Sequence, residues 1–293
     1  MAVIDVNGLT YTYPGSLSPA LKDVSFQVEA GQLVAVVGAN GSGKSTLCLA
    51  LAGLIPALFQ GQLQGTATVC GMETHLHSPG QFAGRVGLVL QNPGSQLSGM
   101  RYTVYEEVAF GLENLGVLRT EMPTRIEQAL QQVQLIELRD RSPYTLSGGQ
   151  QQRLALASVL ALKPSVLLLD EPTAMLDPQG SQEIFEVVQR LAQAGTTVLV
   201  AEHQLEWIAR YADRVIALAQ GELILNGVPG DVLTSAHLPE TGIGWLRYTQ
   251  AAALGRSLGM WLVGQALPTT LEQAAEGFKR ALSGRESEDA DSD

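Results

Sequence analysis

The chain has 293 residues, long enough for one large domain or two modest ones with a proper core, and with 45% apolar against 16% charged residues it reads as globular rather than disordered. A formal charge of −11, from 18 basic against 29 acidic residues, opposes nucleic acid or an anionic membrane surface as a partner, because neutralising phosphates takes clustered Lys and Arg. The N-terminus shows no secretory leader, and no apolar run is long enough to span a bilayer, so any membrane role is expected to go through a partner.

Taken in chain order, Val24-Ser25-Phe26-Gln27-Val28 alternates like a half-buried strand. Leu33–Val37, 86–90, 166–169 and Thr197–Ala201 are nearly continuous apolar runs, the pattern of strands buried on both faces of a parallel sheet. Helical patterns cover 46–54, 123–133, 151–163 and 181–194; Pro164 closes the third and Gly195 caps the fourth. The alternation predicts an α/β fold. The stretch from about 92 to 160 breaks that rhythm and reads as an inserted helical subdomain, and a second change comes after Pro229-Gly230. The expected organisation is therefore a domain over 1–230, a helix-rich extension over 231–285 and a disordered acidic tail over 286–293. Cys48 and Cys70 lack metal-ligand spacing and read as buried reduced thiols; His75 and His77 read as loop residues.

Directly after Leu33–Val37 comes Gly38-Ala39-Asn40-Gly41-Ser42-Gly43-Lys44-Ser45-Thr46. Glycines let such a loop turn tightly and aim successive N–H groups at a phosphate, and the following helix presents its positive end to the same anion. Lys44 can reach the β- and γ-phosphates, and the Ser45 hydroxyl can ligate Mg²⁺. The run Val166-Leu167-Leu168-Leu169-Asp170-Glu171-Pro172 sets two carboxylates at the end of a buried strand, the edge where open α/β sheets bind ligands. Asp170 is placed to hold the shell of a magnesium ion and Glu171 to polarise the water that attacks the γ-phosphate. Leu146-Ser147-Gly148-Gly149-Gln150 precedes a helix and offers a further anion site through its N–H groups and hydroxyl.

With that pentapeptide in place, residues 1 to about 230 closely resemble the nucleotide-binding subunits of ABC transporters, whose signature is LSGGQ. The resemblance implies a P-loop NTPase with a RecA-like, mostly parallel sheet, N-terminal antiparallel strands, an inserted helical subdomain and a small C-terminal helical extension. It implies ATP and Mg²⁺, and a head-to-tail dimer, a homodimer or a heterodimer with a related ATPase, in which Ser147, Gly148, Gly149 and Gln150 of one subunit close on ATP held by another. Tyr13 matches the aromatic that stacks on adenine, with Tyr11 competing for that role. Gln91 resembles the Q-loop glutamine, which senses Mg²⁺ and water. Ala174-Met175-Leu176-Asp177 resembles the D-loop, with Ala174 where Ser is usual, and His203 matches the switch histidine at the γ-phosphate.

Within that family, Gln91-Asn92-Pro93 with Gln96, the stretch 103–114, Val200-Ala201-Glu202-His203 and Leu267-Pro268-Thr269-Thr270 are similar to the ATPases of energy-coupling factor (ECF) importers; Ser98-Gly99-Met100-Arg101 departs from them. That branch implies an integral membrane coupling (T) component, a substrate-binding (S) component, a peripheral place on the cytoplasmic face of the membrane, and uptake of a vitamin, a vitamin precursor or Ni or Co ions. A conventional ABC importer or exporter ATPase is the alternative, and a soluble ABC ATPase a third. Val104, Val108, Ala109, Phe110 and Leu112 fit either a groove for a partner helix or an internal core face. For 243–263, two tryptophans among interrupting polar residues point to a dimer-stabilising helix pair or a packing extension rather than a membrane span.

Overall fold

A computed structural model describes the backbone of residues 2–290 and the side chains of residues 2–283. The chain opens with two antiparallel strands, β1 (Ala2–Thr12) and β2 (Leu21–Glu29), and enters the parallel core at β3 (Leu33–Val37). After α1 (Lys44–Leu51) it adds β4 (Gln62–Val69), β5 (Met72–Glu73), α2 (Pro79–Phe82) and β6 (Val86–Val89). Helices α3 (Val104–Asn114), α4 (Met122–Gln132) and α5 (Gly148–Leu160) follow. Then come β7 (Val166–Asp170), α6 (Pro178–Gln193), β8 (Thr197–Ala201), α7 (Leu205–Tyr211), β9 (Arg214–Ala219) and β10 (Glu222–Gly227). The chain ends in α8 (Pro229–Leu233), α9 (Arg247–Ser257) and α10 (Leu271–Ala290).

Among the described residues the strands form two sheets, one ordered β2-β1-β4-β5 and antiparallel, the other ordered β10-β9-β3-β8-β7-β6. In the second, β9, β3, β8, β7 and β6 run parallel and only β10 is antiparallel. Every residue of β3, β7 and β8 is buried, which is why these runs lack the polar alternation of β2, whose sites alternate buried and exposed. The register sets Asp170 beside Ala201 and Val36 beside Ala201 on the other flank, so the ends of three strands lie side by side on one edge.

Helix starts follow caps more than apolar periodicity. The expected helix 151–163 begins three residues early, at Gly148, because Ser147 caps it, and it stops at Leu160, since Lys163 has a φ of 58° outside helical space. Helix 181–194 begins at Pro178, behind the cap of Asp177 and with proline in the first turn, where its missing N–H costs nothing. Helix 46–54 is Lys44–Leu51, launched by the left-handed Gly43. Strand β9 and the edge strand β10 were not legible as strands.

Val104, Val108 and Leu112 are fully buried and Ala109 nearly so, in one cluster with α4, α5 and the sheet; they form an internal core face, not a groove. Phe110 is half-buried, with the Arg101 guanidinium 5.1 Å over its ring. Both cysteines are free, Cys48 buried but Cys70 only half-buried. Tail residues 286–290, expected to be disordered, continue helix α10; its alanines, glutamates and arginines are good helix formers. Residues 291–293, the rest of that tail, lie outside the described residues. Among the described residues no helix is long and apolar enough to cross a membrane.

Candidate functional site

The loop between β3 and α1 is built by what its glycines avoid. A Cβ on Gly38 would lie 2.2 Å from the Ser42 Oγ and 2.5 Å from the Leu218 carbonyl, so only glycine lets the chain turn there. Gly43, at φ 107°, caps α1 without any side-chain hydrogen bond, and a Cβ on it would meet the Ala20 carbonyl at 2.6 Å. Asn40 and Gly41 are exposed at the rim, and Thr46 is buried behind them. The Ser42 Oγ is buried with no hydrogen-bond partner among the described residues, an acceptor and donor left over for a bound group. This loop lines a cleft of about 410 Å³ together with Gln91 and Glu171.

Four of the expected residues meet at Glu171. Its Oε2 accepts from the Gln91 Nε2 at 2.7 Å. Its Oε1 lies 2.5 Å from the His203 Nε2 and 3.8 Å from the Lys44 ammonium. They come from three loops that leave the same edge of the sheet, after β6, β7 and β8, and from the start of α1. Glu171 itself has a φ of 51°, a left-handed conformation unusual for a non-glycine residue and of the kind concentrated at functional sites. Its N–H is held by the Ala201 carbonyl at 2.9 Å.

Lys44 also donates to the Gly38 carbonyl at 2.9 Å and towards that of Ala39 at 3.3 Å. Burial pushes its ammonium below the ordinary lysine range, and Glu171 and Asp170 pull it partly back. The Ser45 Oγ donates to the Asp170 Oδ1 at 3.0 Å, setting a hydroxyl and a carboxylate side by side. Burial raises the Asp170 carboxyl, and the Ser45 hydrogen bond lowers it. Hard oxygens of this kind suit Mg²⁺, which takes one or two protein ligands and completes its shell with phosphates and water. No cluster of three or more His, Cys, Asp or Glu able to hold a metal occurs among the described residues.

Of the two tyrosines in contention, Tyr11 is fully buried, and its hydroxyl donates to the Gln60 carbonyl. Tyr13 is half-buried, edge-on to Tyr11 at 4.8 Å between ring centres, with its hydroxyl 3.2 Å from the Thr46 Oγ1 behind the loop.

Ser147, Gly148, Gly149 and Gln150 do not join this cluster. Ser147 caps α5: its Oγ accepts from the Gln150 N–H at 3.3 Å, and the Gln150 Oε1 accepts from the Ser147 N–H at 3.0 Å. Ser147 and Gly148 are exposed, and a Cβ on Gly149 would meet the Leu176 side chain at 2.9 Å. Asp177 is exposed and caps α6, accepting from the Gly180 N–H at 2.7 Å. None of these residues lines the cleft.

Sequence reasoning missed the supports. The Leu90 carbonyl, next to Gln91, accepts from the Gln152 Nε2 at 3.3 Å, and the Leu90 N–H donates to the Gln96 Oε1 at 2.9 Å. Gln152 is 1% exposed and is the one polar side chain among the buried residues of α5; in the sequence it stands in a run of three glutamines that gives no sign of this. Thr173, buried beside the cluster, carries no sequence signal, and Glu202, also buried there, enters the sequence reading only within the run Val200-Ala201-Glu202-His203 that resembles the ECF ATPases; an acid directly after an all-apolar strand is its own signal.

Residues 21–174 match the family model described as ABC transporter. An ABC transporter ATP-binding protein of Pyrococcus abyssi is 44% identical over 241 residues, covering 82% of this chain and 85% of the relative. The energy-coupling factor transporter ATP-binding protein EcfA1 of Levilactobacillus brevis is 42% identical over 276 residues, 94% of each chain. Some relatives are longer, and this chain spans only 46% of one from Streptomyces avermitilis. Among solved structures, cbiO1 from Clostridium perfringens, described as part of the ABC transporter complex cbiONQ, superposes with a TM-score of 0.71 at 30% identity, covering 82% of this chain and 93% of that one. A dimeric ATP-binding cassette bound to ADP and Pi gives a TM-score of 0.68 at 28% identity, over 77% of this chain and 98% of that one.

Proposed function

We propose, from the premise that this chain belongs to the ABC transporter ATP-binding family and hydrolyses ATP to drive transport, that it is the energy-coupling ATPase of an ECF-type importer of a micronutrient. One observation carries the hydrolytic part of the reading: a carboxylate, Glu171, held among Gln91, Lys44 and His203 beside a phosphate-loop cleft.

In this reading the N–H groups of Gly38 to Thr46 and the start of α1 cradle the phosphates of ATP, while Tyr13 stacks on the adenine. Lys44 leaves its carbonyl partners for the β- and γ-phosphates and stabilises the charge that develops on them. Glu171 takes a proton from the attacking water as the water oxygen bonds to the γ-phosphorus and the β–γ bridging oxygen departs with ADP. His203 holds the γ-phosphate side, and Gln91 orients both the water and Glu171. Mg²⁺ would be held by Ser45, Asp170 and Gln91, and it supplies neutralisation of phosphate charge.

The exposed Ser147–Gln150 turn supports a head-to-tail dimer. It is a second helix N-terminus with anion-binding chemistry, unable to reach its own chain's cleft, and it would close with Asp177 on ATP held by another copy or by a related ATPase. Closure around two nucleotides would pull on a membrane coupling (T) component paired with a substrate-binding (S) component, placing the chain on the cytoplasmic face of the membrane. Residues 1–230 would form the cassette and 231–285 a dimer-supporting extension. The EcfA1 relatives and the cbiO1 neighbour favour this branch over a conventional importer or exporter. Vitamins, vitamin precursors and Ni or Co ions are the cargo classes of that branch.

The test is to express tagged Glu171→Gln protein in its own host, solubilise membranes in detergent with MgATP, and identify what copurifies by mass spectrometry. A coupling membrane protein together with a small substrate-binding membrane protein is the expected result. A conventional permease pair would overturn the branch, and soluble or nucleic-acid partners alone would overturn a role in transport.

A further inference from the structure

We propose that Glu202 is a positioning residue, whose buried carboxylate locks the loop carrying Glu171 to the loop carrying His203; the proposal rests on the roles given above to those two residues. Glu171 and Thr173 follow β7, and Glu202 and His203 follow the neighbouring parallel strand β8, whose last residue pairs with Asp170. The two loops thus leave the sheet next to each other. The Glu202 side chain is the cross-link between them. Its Oε1 accepts from the Thr173 hydroxyl, and its Oε2 accepts from the His203 backbone N–H at 2.8 Å.

The surrounding bonds leave this link little freedom. The Thr173 Oγ1 also accepts from the Gln204 Nε2 at 3.1 Å, so its single proton is committed to Glu202. The Gln204 Oε1 in turn accepts from the Trp207 Nε1 at 2.8 Å. At its own backbone, Glu202 donates to the Val36 carbonyl at 3.1 Å, which ties the junction to the strand that leads into the phosphate loop. Glu202 is 2% exposed and Thr173 1%; Glu202 lines, with His203, Gly38 and Ala39, a cavity of about 200 Å³ beside the phosphate loop rather than the 410 Å³ cleft.

Such burial is costly for an acid. It pushes the Glu202 carboxyl up, and the bonds from Thr173 and the His203 N–H pull it back. A fold that needed only packing at this point would be better served by an apolar side chain of the same volume. What the carboxylate adds is direction. The bond to the His203 N–H fixes the backbone from which the imidazole projects, and the bond to Thr173 fixes the turn two residues beyond Glu171. The contact that needs both is the one between His203 Nε2 and Glu171 Oε1. Without the link, each side chain would keep its chemistry and lose its partner, and misplacement by a fraction of an ångström is costly at a reacting centre.

The test compares the full-length wild type with Glu202→Ala, Glu202→Gln, Thr173→Val and the Thr173→Val/Glu202→Ala double variant. For each, kcat for ATP hydrolysis, affinity for a fluorescent ATP analogue and Tm are measured. Glu202→Ala is expected to lower kcat by about 30-fold while analogue affinity stays within about threefold, a split that general loosening does not give. Glu202→Gln, which keeps an oxygen for the His203 N–H, should recover roughly half of that loss on a logarithmic scale. The double variant should be no slower than Glu202→Ala, because the link is already broken. Unchanged kcat in Glu202→Ala overturns the proposal, as do additive effects in the double variant or a parallel fall in kcat and affinity with no gain from glutamine. If Glu202→Ala does not fold, Thr173→Val, which keeps the shape of the side chain, decides: a fall in kcat of about tenfold with analogue affinity retained supports the link, and unchanged kcat overturns it. Glu171→Gln is run alongside. Turnover lost there but intact in Glu202→Ala overturns the link alone, whereas turnover intact in both overturns the assignment of Glu171 as well.

Discussion

Two helix N-termini of this molecule carry glycine-rich, anion-binding chemistry, and the chain treats them oppositely. At α1 the cap is a left-handed glycine with no side-chain bond, a buried serine hydroxyl is left unpartnered, and Lys44 and Glu171 stand beside the opening. At α5 a complete capping box between Ser147 and Gln150 satisfies the end internally, and none of Ser147 to Gln150 lines the cleft that holds Lys44 and Glu171. A helix end already capped by its own residues needs no ligand to be stable, whereas an uncapped one is paid for only when an anion arrives. The difference supports the proposal that α1 receives phosphate within the chain and α5 is presented to something outside it.

Lys44→Ala should break the α1 side most severely, lowering ATP turnover by about 100- to 1,000-fold in a phosphate-release assay, because one preorganised cation at the developing charge is lost. Gly38→Ala attacks the same end through its backbone. The new Cβ would need the space of the Ser42 hydroxyl and the Leu218 carbonyl, and an unfolding free energy lower by about 2–3 kcal/mol in urea denaturation is expected, with nucleotide affinity falling too. Ser147→Ala sharpens the contrast from the other side. It should cost about 1 kcal/mol of stability through the lost cap and leave analogue binding to the isolated chain unchanged. If α5 contributed to ATP held by its own chain, that binding would weaken. The smallest effect belongs to the aromatic pair: Tyr13→Ala should weaken analogue binding by about tenfold, the worth of a stacked base, while Tyr13→Phe leaves it nearly intact.

Local physics made one half of the site readable. The runs Leu33–Val37 and Thr197–Ala201 are strands with the expected bounds, because full burial on both faces writes itself as an unbroken apolar run. The phosphate loop was legible for a similar reason, since its glycines answer to contacts within a few residues. Helix starts were misplaced where a cap, such as Ser147 or Asp177, lay outside the apolar pattern. The face of Val104, Val108 and Leu112 could not be assigned from spacing, because a helix buried against its own core and one awaiting a partner share the same period. The bond between Thr173 and Glu202 joins residues 29 apart in sequence: an acid after an apolar strand marks Glu202, but nothing near either residue names its partner. Pairings across adjacent strands come from sheet order, which a sequence does not print.

The most direct measurement is the steady-state ATPase rate of wild type and Glu171→Gln, with the mass of each in MgATP followed by light scattering. The account predicts that Glu171→Gln binds ATP, loses turnover by at least about 100-fold and accumulates as a dimer, because closure persists when hydrolysis cannot reopen it. Near-normal turnover from Glu171→Gln, or a chain that stays monomeric with ATP bound, would contradict it.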